Sequence, residues 1–352
     1  STRVRSSAAS DVYKRQHLTV RNRVVVTNKV PSGLVRGFGG PQVFFALERL
    51  MDQIAAELAI DPVELRRRNY VQAHQFPYQA AAGAILDSGD YLRLTNMVMA
   101  EATVQELWAR RDAARSAGKL YGIGVAAIVE PSISNMGYIS TVLTPEQRAK
   151  AGPKNGAISS ATVAVDLQGG VNVTIASAPA GQGHMTVCAQ VVADVLGVDP
   201  QTVVVNVEFD TAKDAWSVAA GNYSSRFAGA VAGTVHLAAL RLRQKIALIA
   251  SSQLGCPVEA VVFADGEVRS GLDPLRKQLF TRLAANPHWA PALLPAGVEP
   301  GLRETAFWTG ETLAAPDAQD RVNTSAAYGF VFDICGLEVD PDTGATRVDR
   351  YI

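Results

Sequence analysis

The sequence predicts a mixed α+β fold. Three observations carry that expectation: apolar residues recur at helical spacing through the first third, runs that alternate with a period of two appear further on, and Gly-Gly and Asp-Gly pairs join such runs as hairpin turns. No internal repeat or low-complexity tract competes with it.

Taken in order, residues 1–16, "STRVRSSAASDVYKRQ", lack apolar periodicity, do not begin with methionine, and are set aside as a non-native or disordered tail. "VPSGLVRGFGGPQVFFALERLMDQIAAEL", Val30 to Leu58, sets a glycine turn before Pro41, which suits the first turn of a helix because its missing N–H costs nothing there. Phe44, Leu47, Met51, Ile54 and Leu58 then repeat at helical spacing. Asp61-Pro62-Val63-Glu64 reads as an N-cap, a first-turn proline and an N3 glutamate, and opens a second helix. Tyr91 to Ala117 predicts one long helix with Gly118 as its stop. "YGIGVAAIVE" then begins a strand-rich half.

"SATVAVDLQGGVNVTIAS" alternates on both sides of Gly169-Gly170, as a hairpin requires. "HMTVCAQVVADVLG" returns to helical spacing and ends at Gly197, and "TVVVNVEF" follows as a strand. The run from "SSRFAGAV" to Gly255 predicts a long helix with Ser224 or Ser225 as N-cap and His236 packed on its buried side. "AVVFADGEVRS" and "CGLEVDPDTGATRVDRYI" are hairpins, and the proline-bearing stretch Leu272 to Leu302 reads as an insertion or linker. The expected division is a tail at 1–16, a first part at 17–118 and a strand-rich second part at 119–352. With its last residues inside a strand pattern, the chain reads as an internal piece of a longer protein.

Thirty-three basic and 33 acidic residues cancel, so no global field favours nucleic acid or an anionic membrane. No apolar run approaches the roughly 18 residues of a membrane span, and no signal-peptide core opens the chain. Cys188, Cys256 and Cys335 lie far apart with no CxxC pair, which argues against a disulfide framework or a zinc or iron-sulfur cluster held by this chain. A cytoplasmic protein is expected.

Three polar, glycine-marked loops stand out: Arg36 to Gln42, Ala180 to His184 ("AGQGH"), and Gly221 to Arg226 ("GNYSSR"). Each opens a helix, where free N–H groups suit a polyanionic ligand, although a plain turn explains any one of them alone. None contains the Lys-Ser/Thr of a phosphate-binding P-loop or a dinucleotide fingerprint. His184 with Ser225 would make a hydrolase pair, yet no GxSxG elbow is present. No metal-ligand cluster is expected.

Together these motifs resemble the large, molybdenum-binding subunit of the xanthine dehydrogenase and aldehyde oxidase family. The resemblance rests on "VRGFGGPQ", "ALERLMDQIAAELAIDPVELRRRN", "GQGHMTVCAQVVADVLGVDP", "NVEFDTAKDAWSVAAGNYSSR" and "FVFDICGLEVDPDTGATRVDRYI", in that order. It implies molybdopterin-binding domains of the aldehyde oxidase and xanthine dehydrogenase type, truncated at both ends. It places Arg36 and Gly37 beside the molybdenum centre and Phe38 against the substrate ring. Gln182 would approach the metal and the pterin, with Gly181 and Gly183 beside it. Ser225 and Asn222 would hold the cofactor, while Tyr223 and Ser224 line the substrate pocket. Where many relatives have Thr or Ser, this chain has Asn222, and Glu130 is a further pocket candidate.

The chemistry implied is hydroxylation of an electron-poor carbon with oxygen drawn from water, or oxidation of an aldehyde, with catalytic roles for Gln182 and Arg36. The family's general-base glutamate belongs to a later segment than this chain contains, so the chain alone is expected to be inactive. Partner subunits carrying 2Fe-2S clusters and FAD are implied, as is the molybdopterin cytosine dinucleotide form of the cofactor. Carbon monoxide oxidation needs a loop cysteine for copper, and Arg36 to Gln42 has none. Phe38 favours an aromatic N-heterocycle, with an aldehyde second. A non-catalytic scaffold or assembly protein is the alternative from another class.

Overall fold

The computed structural model describes residues 23, 25–30, 37, 39–135, 137–152, 158–208 and 222–352. The tail at 1–16, Arg36, Phe38 and the "DTAKDAWSVAAG" stretch lie outside the described residues. In chain order the elements are α1 (Gly40–Glu57), α2 (Pro62–Asn69), β1 (Tyr78–Gln79), β2 (Ile85–Leu86), α3 (Tyr91–Ala100), α4 (Ala102–Ser116) and β3 (Leu120–Ser134). They continue as α5 (Pro145–Ala151), β4 (Ser159–Val165), β5 (Val171–Ile175), α6 (His184–Leu196), β6 (Val203–Asn206) and α7 (Gly233–Leu254). The last are β7 (Val261–Ala264), β8 (Glu267–Ser270), β9 (Lys277–Leu279), α8 (Phe280–Trp289), β10 (Arg303–Trp308), β11 (Ser325–Val339) and β12 (Thr346–Tyr351). The chain divides into two compact units, residues 1–155 with 312–352, and residues 156–311. The boundary expected after Gly118 falls inside the first unit, because β3 pairs along its length with β11.

In the first unit the sheet runs β12-β11-β3, antiparallel throughout. Helix α1 begins at Gly40 with Pro41 in its first turn, and it buries Phe44 and Met51; Leu58 is its C-cap and stays exposed. Helix α2 starts as the sequence predicts, with the Asp61 carboxylate accepting from the amides of Val63 and Glu64 at 2.9 Å. Asp61→Ala is expected to cost about 1 kcal/mol in a thermal melt, and an unchanged midpoint would sink the capping account. The single helix expected over Tyr91 to Ala117 is two, broken at Glu101, whose ψ of 135° is extended. Each half has its own core: Tyr91 stacks on Phe330 at 4.3 Å, whereas Val104 and Leu107 pack with Ile334. The Gln105 side chain covers the loose end by donating to the Met99 carbonyl.

In the second unit the sheet order is β10-β4-β5-β6, with β4 antiparallel to β5 and β5 parallel to β6. Parallel neighbours need a crossover, and α6 provides it. Val163, Val173 and Ile175 meet Cys188, Val192 and Leu196 of α6 and Leu242 and Ile246 of α7 in one apolar core. β7, β8 and β9 form a small meander, turned at Asp265-Gly266 with positive φ at both residues. Part of the stretch read as an insertion or linker is built into this core, since Phe280, Leu283 and Ala284 of α8 are buried in it. His236, expected to be packed, is exposed on α7. The register of that helix is set by Val235, Ala238, Ala239 and Leu242, which point inward.

Candidate functional site

The glycine turn of the first unit tightens through the Gly40 amide, which donates to the Gly37 carbonyl at 2.9 Å. Gly37 and Gly39 have φ of 81° and 84°, conformations that need glycine. An added Cβ at Gly40 would lie 3.1 Å from the Phe44 ring and 3.8 Å from Glu130 Oε2. The turn therefore brings the amino end of α1 close to the Glu130 carboxyl, carried on β3 opposite Gly329. Partial desolvation raises the Glu130 pKa above its ordinary value. The structure thus places Glu130 beside Gly40 at the amino end of α1, a relation that sequence spacing left open.

In the second unit the loop Ala178–Gly183 leaves the carboxyl end of β5 and enters α6. Ligands of open α/β sheets collect at such strand ends. Gly183 is the left-handed N-cap (φ 76°, ψ 29°) and makes no side-chain capping bond, so the first amides of α6 keep their donors. Gln182 Oε1 accepts from the Ala180 amide at 2.7 Å, which commits the carbonyl end of its exposed side chain to the loop and leaves the NH₂ end to donate. Neither Gly181 nor Gly183 would bring a Cβ within 4 Å of any other group.

The serine loop meets this turn through Asn222 Nδ2, which donates to the Ala178 carbonyl at 3.1 Å. Beyond Tyr223, Ser224 and Ser225 both take φ of 50°, and Arg226 returns to φ −64°. Consecutive left-handed residues other than glycine are strained, and the turn closes through the Arg226 amide, which donates to the Tyr223 carbonyl. The simple serine N-cap is not what the structure shows, because no side-chain capping bond is made where this helical run begins. Residues 227–232 instead form a π-helical turn, a form frequent at functional sites. Arg226 is buried, donates to Ser159 Oγ at 3.0 Å, and has its pKa lowered by desolvation.

His184 is wholly buried, and its ring lies on Phe227 with centroids 3.7 Å apart and planes at 6°. Among the described residues neither of its ring nitrogens has a hydrogen-bond partner. A His184–Ser225 hydrolytic pair is therefore not formed, and burial lowers the imidazole's pKa. Ser177 Oγ and Asn222 Oδ1 are likewise buried without partners among the described residues. Phe227 and Ser177 carried no sequence signal, since their part depends on which loops the fold brings together. Among the described residues no group of three or more His, Cys, Asp or Glu side chains is placed to hold a metal ion. No helix among them is long and apolar enough to cross a membrane.

Two models described as molybdopterin cofactor-binding domain match the chain, one over residues 2–70 and one over residues 97–352. The chain is 31% identical to the large subunit of nicotine 6-hydroxylase from Paenarthrobacter nicotinovorans, over 92% of its own length and 36% of that protein. It is 26% identical to the carbon monoxide dehydrogenase large chain of Hydrogenophaga pseudoflava, over 96% of its length and 39% of the relative. The quinoline 2-oxidoreductase structure from Pseudomonas putida 86 superimposes with a TM-score of 0.72 at 30% identity, covering 92% of this chain and 38% of that one. The chain thus spans well under half the length of these relatives. With the loops, the order of motifs and the match over residues 97–352 in agreement, the chain belongs to the molybdopterin cofactor-binding domains of the xanthine dehydrogenase and aldehyde oxidase family.

Proposed function

We propose that this chain is the cofactor-holding part of a molybdenum hydroxylase that acts on an aromatic N-heterocycle, with an aldehyde as the second substrate class. The observation that carries the reading is the loop cluster at the carboxyl end of β5. Its residues fit a pterin nucleotide: the Gly183 N-cap leaves the first amides of α6 to donate to an anionic group, and Gly181 and Gly183 leave open space beside the backbone. Asn222 Oδ1 is buried with hydrogen-bonding capacity unspent. Gly181, Gln182, Gly183, Asn222 and Ser225 would hold the cofactor, and the roles of Arg36, Gly37, Phe38, Tyr223 and Ser224 follow from the resemblance. When bound, the molybdenum cofactor supplies hydroxylation of an electron-poor carbon with oxygen from water.

The chain's own contribution is orientation and proton placement. The Gln182 amide donates toward the cofactor from a side chain pinned at its other end. Glu130, with its proton affinity raised, is suited to hydrogen-bond a ring nitrogen or its proton. The lean to a heterocycle is supported by the nicotine and quinoline enzymes, at 31% and 30% identity against 26% for the carbon monoxide dehydrogenase. Carbon monoxide is disfavoured because Arg36 to Gln42 contains no cysteine. Cys188, Cys256 and Cys335 are scattered through the sequence, so electrons would leave through 2Fe-2S and FAD on small and medium partner subunits in the cytoplasm.

The test is the intact gene co-expressed with its neighbours, followed by molybdenum by mass spectrometry and CMP released on acid hydrolysis. Near-stoichiometric amounts of both are expected, together with oxidation of a pyridine- or quinoline-type ring in preference to an aldehyde. Folded, assembled protein with neither molybdenum nor CMP would overturn the reading.

A further inference from the structure

We propose that Ser177 and His184 are cofactor-contacting residues, each making a hydrogen bond to the bound pterin nucleotide that the chain itself leaves unmade. The inference rests on the function proposed above and adds two residues to its site. Ser177 immediately precedes the Ala178–Gly183 loop, His184 immediately follows it, and Asn222 is tied to its first carbonyl. All three carry buried side-chain atoms without hydrogen-bond partners among the described residues. Buried polar atoms are nearly always paired, so three unmet side chains bordering one short loop describe a lining whose ligand supplies the partners.

His184 makes the point most sharply. A neutral imidazole has one N–H to give and one lone pair to fill. Its stack on Phe227 fixes the plane of the ring, so both nitrogens lie at the ring edge, where the phenyl face offers them nothing. A purely apolar packing role would be met as well by phenylalanine. A metal role lacks companions among the described residues. A base role toward Ser225 lacks the hydrogen bond.

The two explanations separate in the assembled enzyme, made from the intact gene with its partner subunits. His184→Phe keeps the stacking face and removes the nitrogens, while His184→Asn and His184→Gln return a polar group at the Nδ1 and Nε2 positions. Ser177→Ala tests the second contact. Cofactor retention is read as molybdenum and CMP per polypeptide after exhaustive dialysis, beside the melting temperature of cofactor-free protein. His184→Phe and Ser177→Ala are each expected to lose cofactor about tenfold faster than wild type, as for loss of one hydrogen bond to a charged or strongly polar group. The cofactor-free proteins should melt no lower than wild type, because each change removes an unmet polar atom from the interior. Restored retention in one of the amide variants identifies the nitrogen used. Wild-type retention in both His184→Phe and Ser177→Ala would overturn the inference while leaving the proposed function intact. Wild-type enzyme without molybdenum or CMP would instead remove the function on which it rests.

Discussion

Replacing Arg66 with methionine is expected to lower the unfolding free energy by about 3–5 kcal/mol, the cost of removing one partner from a buried ion pair. Arg66 is fully buried and is the meeting point of three elements. Its Nε donates to Glu48 Oε2 at 2.8 Å, and its Nη2 donates to Asp52 Oδ1 at 2.9 Å, both carboxylates on α1. Nη2 also reaches the Val125 carbonyl of β3 at 3.3 Å. Glu48 Oε2 in turn accepts from the Ala127 amide of the same strand at 3.0 Å, so one carboxylate bridges helix and sheet. Methionine fills comparable volume but strips the counter-charge from a carboxylate that is 6% exposed. The paired change Glu48→Leu with Arg66→Met should recover only part of the loss, because it removes the stranded Glu48 charge but leaves the buried Ala127 amide and the Asp52 carboxylate without their partners. Denaturant titration of the single and double variants decides it. A single-variant loss below about 1 kcal/mol would mean that the network adds little to the docking of α1 on β3.

Local signals made much of this fold legible. Asp61-Pro62 fixed the start of α2, Gly169-Gly170 and Asp265-Gly266 the hairpins, and Gly197 the end of α6, because a cap or tight turn is decided by a few adjacent residues. The break at Glu101 was not legible. The composition on both sides is equally helical, and the break exists because Tyr91 and Leu107 belong to different clusters. Strand β9 and helix α8 were hidden for a similar reason, since prolines in that stretch suggest a loop while Phe280 and Leu283 bury themselves against distant strands. At the candidate site the glycine loops could be read directly. The left-handed serines, the π-helical turn and the His184–Phe227 stack could not, because no short-range rule predicts a strained conformation held by tertiary contacts.

Two glycines at opposite ends of α6 should respond to alanine to different degrees, and the contrast separates packing from ligand approach. Gly197 closes the helix at φ 67°, ψ 34°, and its carbonyl accepts from the Gly266 amide at 2.7 Å. A Cβ there would sit 2.5 Å from the Phe263 carbonyl carbon, a backbone atom that cannot step aside. Gly197→Ala therefore adds overpacking, typically about 1–3 kcal/mol, to the left-handed penalty of roughly 1 kcal/mol, and a loss of about 2–4 kcal/mol is expected. Gly183 has nearly the same backbone, φ 76° and ψ 29°, but nothing lies within 4 Å of its added Cβ. Gly183→Ala should cost only about 1 kcal/mol in stability, the conformational part alone. If the open space beside it receives the pterin nucleotide, the same substitution should sharply reduce the molybdenum and CMP retained by the assembled enzyme. Equal stability losses at the two positions would show that the space beside Gly183 closes in solution. A Gly183→Ala enzyme that keeps wild-type cofactor would show that the ligand does not approach the loop at this residue.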